Sequence, residues 1–202
     1  MANKDHSLDK GIIKAAYEEF LSLGFKEASL HKIAENAGVT TGAIYTRYKN
    51  KDALFTSLLQ DFIPTMNRLF APAAQEYAKA AEVCTPEALL EAIAFEEQIY
   101  FRLLTGYYEE CVLFFCRSDG SSAEQLLNAI MQSKTEQTVE FLSRCCAKKP
   151  NADSIRLLLG SQFWYFRQLL NARLDMDRTL ECLKEILDFT DAGWKRLLEK
   201  LQ

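Results

Sequence analysis

Apolar positions along this chain recur at helical spacing from one end to the other. Ile13, Ala16, Tyr17, Phe20 and Leu23 predict a helix over 8–23, closed by Gly24 where a left-handed cap residue suits. Ser29 is placed to cap a short helix over 30–37 whose inner face is Leu30, Ile33, Ala34 and Ala37. Gly38 ends it, and Thr40 caps another short helix, 41–47, with Ile44 facing inward. Asn50 opens a longer helix through Leu54, Phe55, Leu58, Leu59 and Phe62. Pro64 is expected to kink or end that helix, and Pro72 to interrupt the next helical stretch.

The pattern stays helical beyond that point. Thr85-Pro86-Glu87 combines a cap, a proline at the first helical position and an acid in the first turn, and opens 86–104. Gly106 separates this from 107–117. Asp119-Gly120 reads as a turn, and Ser121-x-x-Glu124 or Ser122-x-x-Gln125 as a capping box for 122–147. Pro150 precedes a helix at 152–173, and Asp177 caps the last one, with a break expected at Asp191-Ala192-Gly193. There is no internal repeat, low-complexity tract or alternating strand pattern. The expected fold is all-α.

Composition narrows the class. In 202 residues, 49% are hydrophobic and 26% charged, an ordinary globular balance, and eight Gly with four Pro are few for a turn-rich β protein. No stretch nears the roughly 18 consecutive apolar residues of a membrane span. The start, Met1-Ala2-Asn3-Lys4-Asp5-His6, lacks the apolar run of a signal peptide, so a cytoplasmic protein without a membrane partner is expected.

The net charge of −4 is unevenly spread. Residues 1–55 hold eight Lys/Arg against seven Asp/Glu, and the rest sixteen against twenty-one. Within 29–51, Lys32, Arg47, Lys49 and Lys51 face Glu35 alone, a small basic surface suited to a local polyanion contact. Six cysteines raise metal and redox chemistry. No Cys-x-x-Cys occurs and only His6 and His31 offer imidazoles, so no metal site or other cofactor is expected. Disulfides are disfavoured in a cytosolic chain, which leaves Cys145-Cys146 as buried small hydrophobes or as a vicinal pair open to oxidants or thiophilic metals.

The informative stretch is Ile33-Ala34-Glu35-Asn36-Ala37-Gly38-Val39-Thr40-Thr41-Gly42-Ala43-Ile44-Tyr45. Two short helices around Gly38 make a helix-turn-helix, with Ala34 small enough for close approach and Val39 and Ile44 filling the angle. Such a unit lays its second helix in the DNA major groove, although an αα-corner without a DNA role shares the spacing.

Further matches extend the pattern: Ile12-Ile13-x-Ala15-Ala16, Gly24-Phe25, Gly42-x-Ile44-Tyr45, Tyr48-Lys49-Asn50-Lys51 and Leu54. Together they make residues 10–55 resemble the N-terminal domain of the tetracycline-repressor (TetR) family. Ala28 stands where a threonine is frequent, Tyr48 where phenylalanine is, and Arg47 where histidine or tyrosine is common; these departures bear on the operator sequence. The resemblance implies phosphate contacts from Ser29, Thr40, Tyr45, Tyr48 and Lys51, and places Thr41, Gly42, Ala43, Arg47 and His31 near base edges. It further implies a helix-turn-helix domain over 1–50 and a larger helical domain over 51–202 that binds a small effector and dimerises.

In that larger part, Phe95, Phe101, Tyr107, Phe114 and Phe163 supply aromatic walls for a flat or apolar ligand, or ordinary bundle core. Glu97 and Gln162 stand as polar residues within apolar stripes, where each needs a partner. Ile155, Leu159, Phe166 and Leu170, with Leu180, Leu183, Leu187 and Trp194, recur as a packing seam for a symmetric dimer. No phosphate loop, nucleophile motif or metal set points to an enzyme. The expected protein is a dimeric regulator, a repressor, that binds pseudo-palindromic double-stranded operator DNA and is released by a small apolar or aromatic effector. The competing reading is a helical interaction protein, or a DNA-binding factor without an effector.

Overall fold

The computed structural model describes residues 6–202. Met1–Asp5, on which the cytoplasmic expectation rests, and the His6 imidazole lie outside the described residues. The described residues form nine α-helices and no strand: α1 His6–Glu27, α2 Leu30–Asn36, α3 Thr41–Tyr45, α4 Lys51–Leu58, α5 Phe62–Val83, α6 Pro86–Cys111, α7 Ser122–Cys145, α8 Ala152–Asn171 and α9 Met176–Leu201. A π-helical turn, Val112–Cys116, comes directly after α6. None of these helices is long and apolar enough to cross a membrane.

The chain divides into two compact units. The first joins residues 6–63 with 109–127. Its centre is aromatic, with Phe20 and Phe55 fully buried, edge to face at 5.0 Å, and Phe25 5.3 Å from Phe55. Ile12, Ala16, Ile33, Ile44 and Leu54 of the same unit are buried as well. Asn50 caps α4 by accepting from the Ala53 N–H at 2.7 Å. Segment 109–127 is held to α1 and α4 by polar contacts as well: Tyr17 donates to Glu109 at 2.8 Å, and the Ser122 N–H and hydroxyl both donate to Asp52.

The second unit joins 64–108 with 128–202. Leu89, Ala92, Leu142, Ile155, Leu159, Trp194 and Leu198 are buried together in its core. Beside that core, the buried Glu96 carboxylate accepts from the hydroxyls of Tyr77 at 2.5 Å and Tyr100 at 2.9 Å and is ion-paired with Lys134. Burial alone would raise this carboxyl, but Lys134 and the two hydroxyls outweigh it and hold it below the usual carboxylate range.

Several local expectations are corrected. The helix opened by Asn50 ends at Leu58, before Phe62 and Pro64. Pro64 lies instead in the first turn of α5, where a missing N–H costs no helical bond, and Pro72 lies inside α5 on the exposed side. Burial of Met66, Ala73 and Ala80 along one face keeps the helix going. The separation expected at Gly106 falls one residue later, as a kink within α6 at Tyr107 (φ −147°, ψ 38°). Helix α9 runs unbroken through Asp191-Ala192-Gly193, and Asp175 rather than Asp177 caps it. The expectation against disulfides fails for one pair, because Cys84, between α5 and α6, is bonded to Cys145 at the end of α7.

Glu97 is paired with Asp191 of α9, carboxyl to carboxyl. Burial, then the Asp191 charge, pushes the Glu97 carboxyl up from its ordinary 4.5 to about 8. The folded protein therefore keeps a proton there that the unfolded chain loses above pH 4.5. Stability from this site is full below that point, declines as pH rises toward about 8, and is then flat. Glu97→Gln should remove the decline, so urea midpoints at about pH 6 and about pH 9 should differ less for the variant than for the natural chain.

Candidate nucleic-acid interface

Local chemistry sets the geometry of α2 and α3. Gly38 takes φ +67°, a conformation that side-chain-bearing residues seldom adopt, which lets the chain reverse in one step. The Val39 N–H then bonds back to the Ala34 carbonyl at 2.9 Å, closing the turn. Thr40 caps α3, its hydroxyl accepting from the Ala43 N–H at 3.2 Å. Ser29 makes no such cap; its backbone N–H donates to Glu19 instead, at 3.0 Å. Ile33, Ala34 and Ile44 are buried, which leaves the opposite side of α3 free of core duties.

The exposed side gathers most of the anticipated contact residues. Ser29, His31, Lys32, Thr40, Gly42 and Lys49 are exposed, Tyr45 is 55% exposed, and Thr41, Ala43 and Tyr48 are half-buried. Three cations have partners within the protein. Arg47 is ion-paired with Asp9 of α1 and also donates to the Ala43 carbonyl at 3.2 Å. Lys51 donates to the Lys26 carbonyl at 3.1 Å and lies 4.9 Å from the centre of the Phe25 ring. Partial burial pushes its ammonium down from the usual lysine value. Lys32 pairs with Glu35 at 2.9 Å, in full solvent contact. The guanidinium of Arg47 thus joins α1 to the end of α3, a contact that sequence spacing gave no means of seeing because Asp9 is 38 residues away.

The residues anticipated around an effector are divided between the units. Phe114 belongs to the first, 5.9 Å from Phe62 and 5.0 Å from Phe115 in ring centroids. Phe95, Glu97, Phe101, Tyr107, Gln162 and Phe163 belong to the second, with Phe95 exposed and the others half-buried. The neighbouring Glu96, with Tyr77, Tyr100 and Lys134, is the polar cluster that spacing did not single out. Glu96 and Tyr100 lie one helical turn apart, which was its one sequence signal.

Of the seam expected on the last two helices, Ile155, Leu159, Phe166, Leu170, Leu183 and Trp194 are buried in the protomer's own core, and Leu180 and Leu187 are half-buried. The outward apolar residues are others: Leu157 at 70%, Trp164 at 55% and Phe189 at 70% exposure, with Leu158 beside them.

The model for bacterial regulatory proteins of the tetR family matches residues 12–58. Residues 12–58 thus match a tetR-family regulatory domain. That stretch contains α2, α3, α4 and α1 from residue 12 onward. Two similar proteins of Bacillus subtilis are uncharacterized HTH-type transcriptional regulators. YdgC is 33% identical over 69 residues, 34% of this chain and 35% of that protein. YhgD is 34% identical over 59 residues, 29% of this chain and 31% of that protein. The chain thus matches about a third of the length of these relatives.

Solved structures resemble the chain over far more of its length. NalD, the secondary repressor of the MexAB-OprM multidrug efflux pump in Pseudomonas aeruginosa, has a TM-score of 0.53 at 22% identity, covering 92% of this chain and 96% of that one. FadR from Bacillus subtilis, in complex with stearoyl-CoA, has a TM-score of 0.55 at 20% identity, covering 92% and 98%. At such identities the likeness is one of fold: an N-terminal helix-turn-helix followed by further helices.

Within the tetR-family domain, the polar ties are open to test. Thr40→Ala should cost about 1 kcal/mol of stability through the lost cap. Arg47→Ala should cost about 1–2 kcal/mol through the lost charge-assisted bonds to Asp9 and Ala43. Chemical denaturation followed by far-ultraviolet circular dichroism would measure both.

Proposed function

We propose that this protein is a dimeric, sequence-specific DNA-binding transcriptional regulator, a repressor, released from its operator by a small apolar or aromatic effector. The observation that carries the reading is α3. Its core side is filled by Ile44, its N-terminus is capped by Thr40, and its other side presents Thr41, Gly42 and Tyr45 outward. Hydroxyls and helix N-termini satisfy phosphate oxygens, while glycine and alanine allow close approach to base edges and thymine methyls. Residues 1–50 would serve DNA, and residues 51–202 the effector and the dimer. The protein acts in the cytoplasm as a binding protein rather than an enzyme.

Arg47 is assigned a different part from base reading. Tied to Asp9, it sets the pitch of α3, so Arg47→Ala weakens binding to all sequences alike and does not relax one base position. Lys32 and Lys49 remain the outward cations, with Ser29, Thr40, Tyr45 and Tyr48 as phosphate contacts and His31 beside them. Two protomers each using both lysines engage four phosphates, so log K against log salt should fall with a slope of about −4, at roughly −0.9 per phosphate. Selection from random duplex DNA should yield a palindromic consensus whose half-sites lie about 34–36 Å apart, or a multiple of that. A slope near zero with no consensus would sink the reading. Effector and operator must also weaken each other reciprocally, which a titration of either in the presence of the other would measure.

For the dimer, the outward residues Leu157, Leu158, Trp164 and Phe189 are the better surface, since most of the regular seam is occupied by the protomer itself. Trp164→Glu should yield monomers and lower operator affinity by at least tenfold, because one half-site carries little specificity alone. Light scattering on the natural chain should give twice 23.1 kDa. A natural chain that scatters as a monomer would overturn the assignment.

A further inference from the structure

Cys84 and Cys145 are 61 residues apart, and the chain between them is one hairpin: α6, the π-helical turn and α7. The disulfide closes the open base of that hairpin. Its tip, residues 109–127, belongs to the first unit and packs on the tetR-family domain. There the Phe25 N–H donates to the Arg117 carbonyl at 2.7 Å, and Ser122 is bonded to Asp52. Both arms therefore lead from the disulfide to residues packed on the domain that carries α3.

We propose that Cys84 and Cys145 form a reversible redox clasp, written by peroxide and erased by cellular dithiols, that changes operator affinity by fixing the base of this hairpin. The proposal rests on the reading of the protein as a DNA-binding regulator. In the oxidising direction, one thiolate attacks a peroxide oxygen and becomes a sulfenic acid, with water leaving. The second thiolate then displaces a second water and the S–S bond forms. Two thiols and one hydrogen peroxide give one disulfide and two waters, and the sulfurs lose the two electrons that the peroxide gains. A dithiol reductant returns two electrons and two protons by thiol–disulfide exchange.

Three features suit this role. Both cysteines are half-buried at helix ends, so small oxidants and reductants can reach them, whereas Cys111 and Cys116 are buried. The base of the hairpin has other ties: Arg144 donates to the Ala81 carbonyl, and Ala80, Phe141 and Leu142 pack in the core beside it. Reduction thus frees the two ends from their covalent link without dissolving the fold. Finally, Cys146 comes immediately after Cys145 yet is a free thiol that burial pushes up, while Cys84 is bonded to Cys145. The pairing is confined to one partner.

The test uses the full chain and an operator obtained by selection. Samples are treated with hydrogen peroxide or with dithiothreitol, and reactive thiols are counted by alkylation and mass spectrometry. Peroxide should protect Cys84 and Cys145 together, dithiothreitol should expose both, and Kd for the operator should differ about tenfold between the two forms. Cys84→Ser and Cys145→Ser should each abolish the difference, and Cys146→Ser should keep it. Equal Kd values for the two forms, or peroxide that leaves both thiols reactive, would overturn the clasp. Should neither form bind any duplex, the regulator reading fails, and hydrogen exchange still judges the clasp. Slower exchange in α6 and α7 on oxidation supports it, and unchanged exchange removes it.

Discussion

Helix α1 breaks at Gly24 because the backbone there takes φ 78° and ψ 167°, a conformation essentially closed to side-chain-bearing residues. Groups freed around the break do not go to water. Phe25 donates its N–H to the carbonyl of Arg117, and the Arg117 side chain donates to the carbonyl of Leu21 at 2.9 Å. One residue of the α6–α7 hairpin tip thus satisfies both sides of the interruption. The tip is fixed to α1 by backbone geometry, more stringent than apolar packing, which tolerates sliding. Phe25, aimed by the same break, completes the ring cluster with Phe20 and Phe55 and lies against the Lys51 ammonium at the start of α4. The position of α4, and through the shared core that of α2 and α3, is set by a single left-handed residue.

The helix-turn-helix was readable from local spacing because the constraints that form its turn are local. Gly38, the Thr40 cap and the Ile33, Ala34 and Ile44 contacts all fall within about a dozen residues. The prolines misled for the opposite reason: whether a helix survives Pro72 depends on what its other face buries, and that is a tertiary fact. Helix α6 shows a subtler failure. The stripe expectation picked out Glu97, whereas the buried positions are Leu89, Ala92, Glu96, Ile99, Leu103 and Leu104. A helix apolar on more than one side leaves its phase undetermined, and a phase error of one residue exchanges a buried carboxylate for its neighbour. The disulfide was invisible because two cysteines 61 residues apart carry no pairing information in spacing alone.

Regular apolar spacing on α8 and α9 likewise marks a covered face without saying what covers it. Ile155, Leu159, Trp194 and Leu198 satisfy the pattern by packing on Leu89, Ala92 and Leu142 of their own protomer. The residues that break the polar expectation for the outer side are Leu157, Trp164 and Phe189, which is why the proposed dimer surface is placed on them and not on the regular seam. The same logic separates Glu96 from Glu97. Glu96, with an ammonium and two hydroxyls around it, is stable as a carboxylate. Glu97, facing another acid, is held in its protonated form well above the usual range, and the two adjacent acids respond to pH in opposite senses.

On the proposed DNA-binding reading, charge completes the account of how a net −4 protein discriminates among DNA sequences. The basic cluster of 29–51 is smaller in effect than in count, since Arg47 is committed to Asp9 and Lys51 to the Lys26 carbonyl, and Lys32 shares its charge with Glu35. Sequence-independent attraction grows with each phosphate neutralised, so a surface that spends its cations internally holds random DNA weakly. The contacts left to supply affinity are short-range ones: hydroxyls, N–H groups at helix starts, and van der Waals approach over Gly42 and Ala43. These depend on α3 entering the groove at one depth and angle. On the proposed reading the Asp9–Arg47 pair sets that angle, so a cation withdrawn from electrostatic attraction serves geometric selection instead.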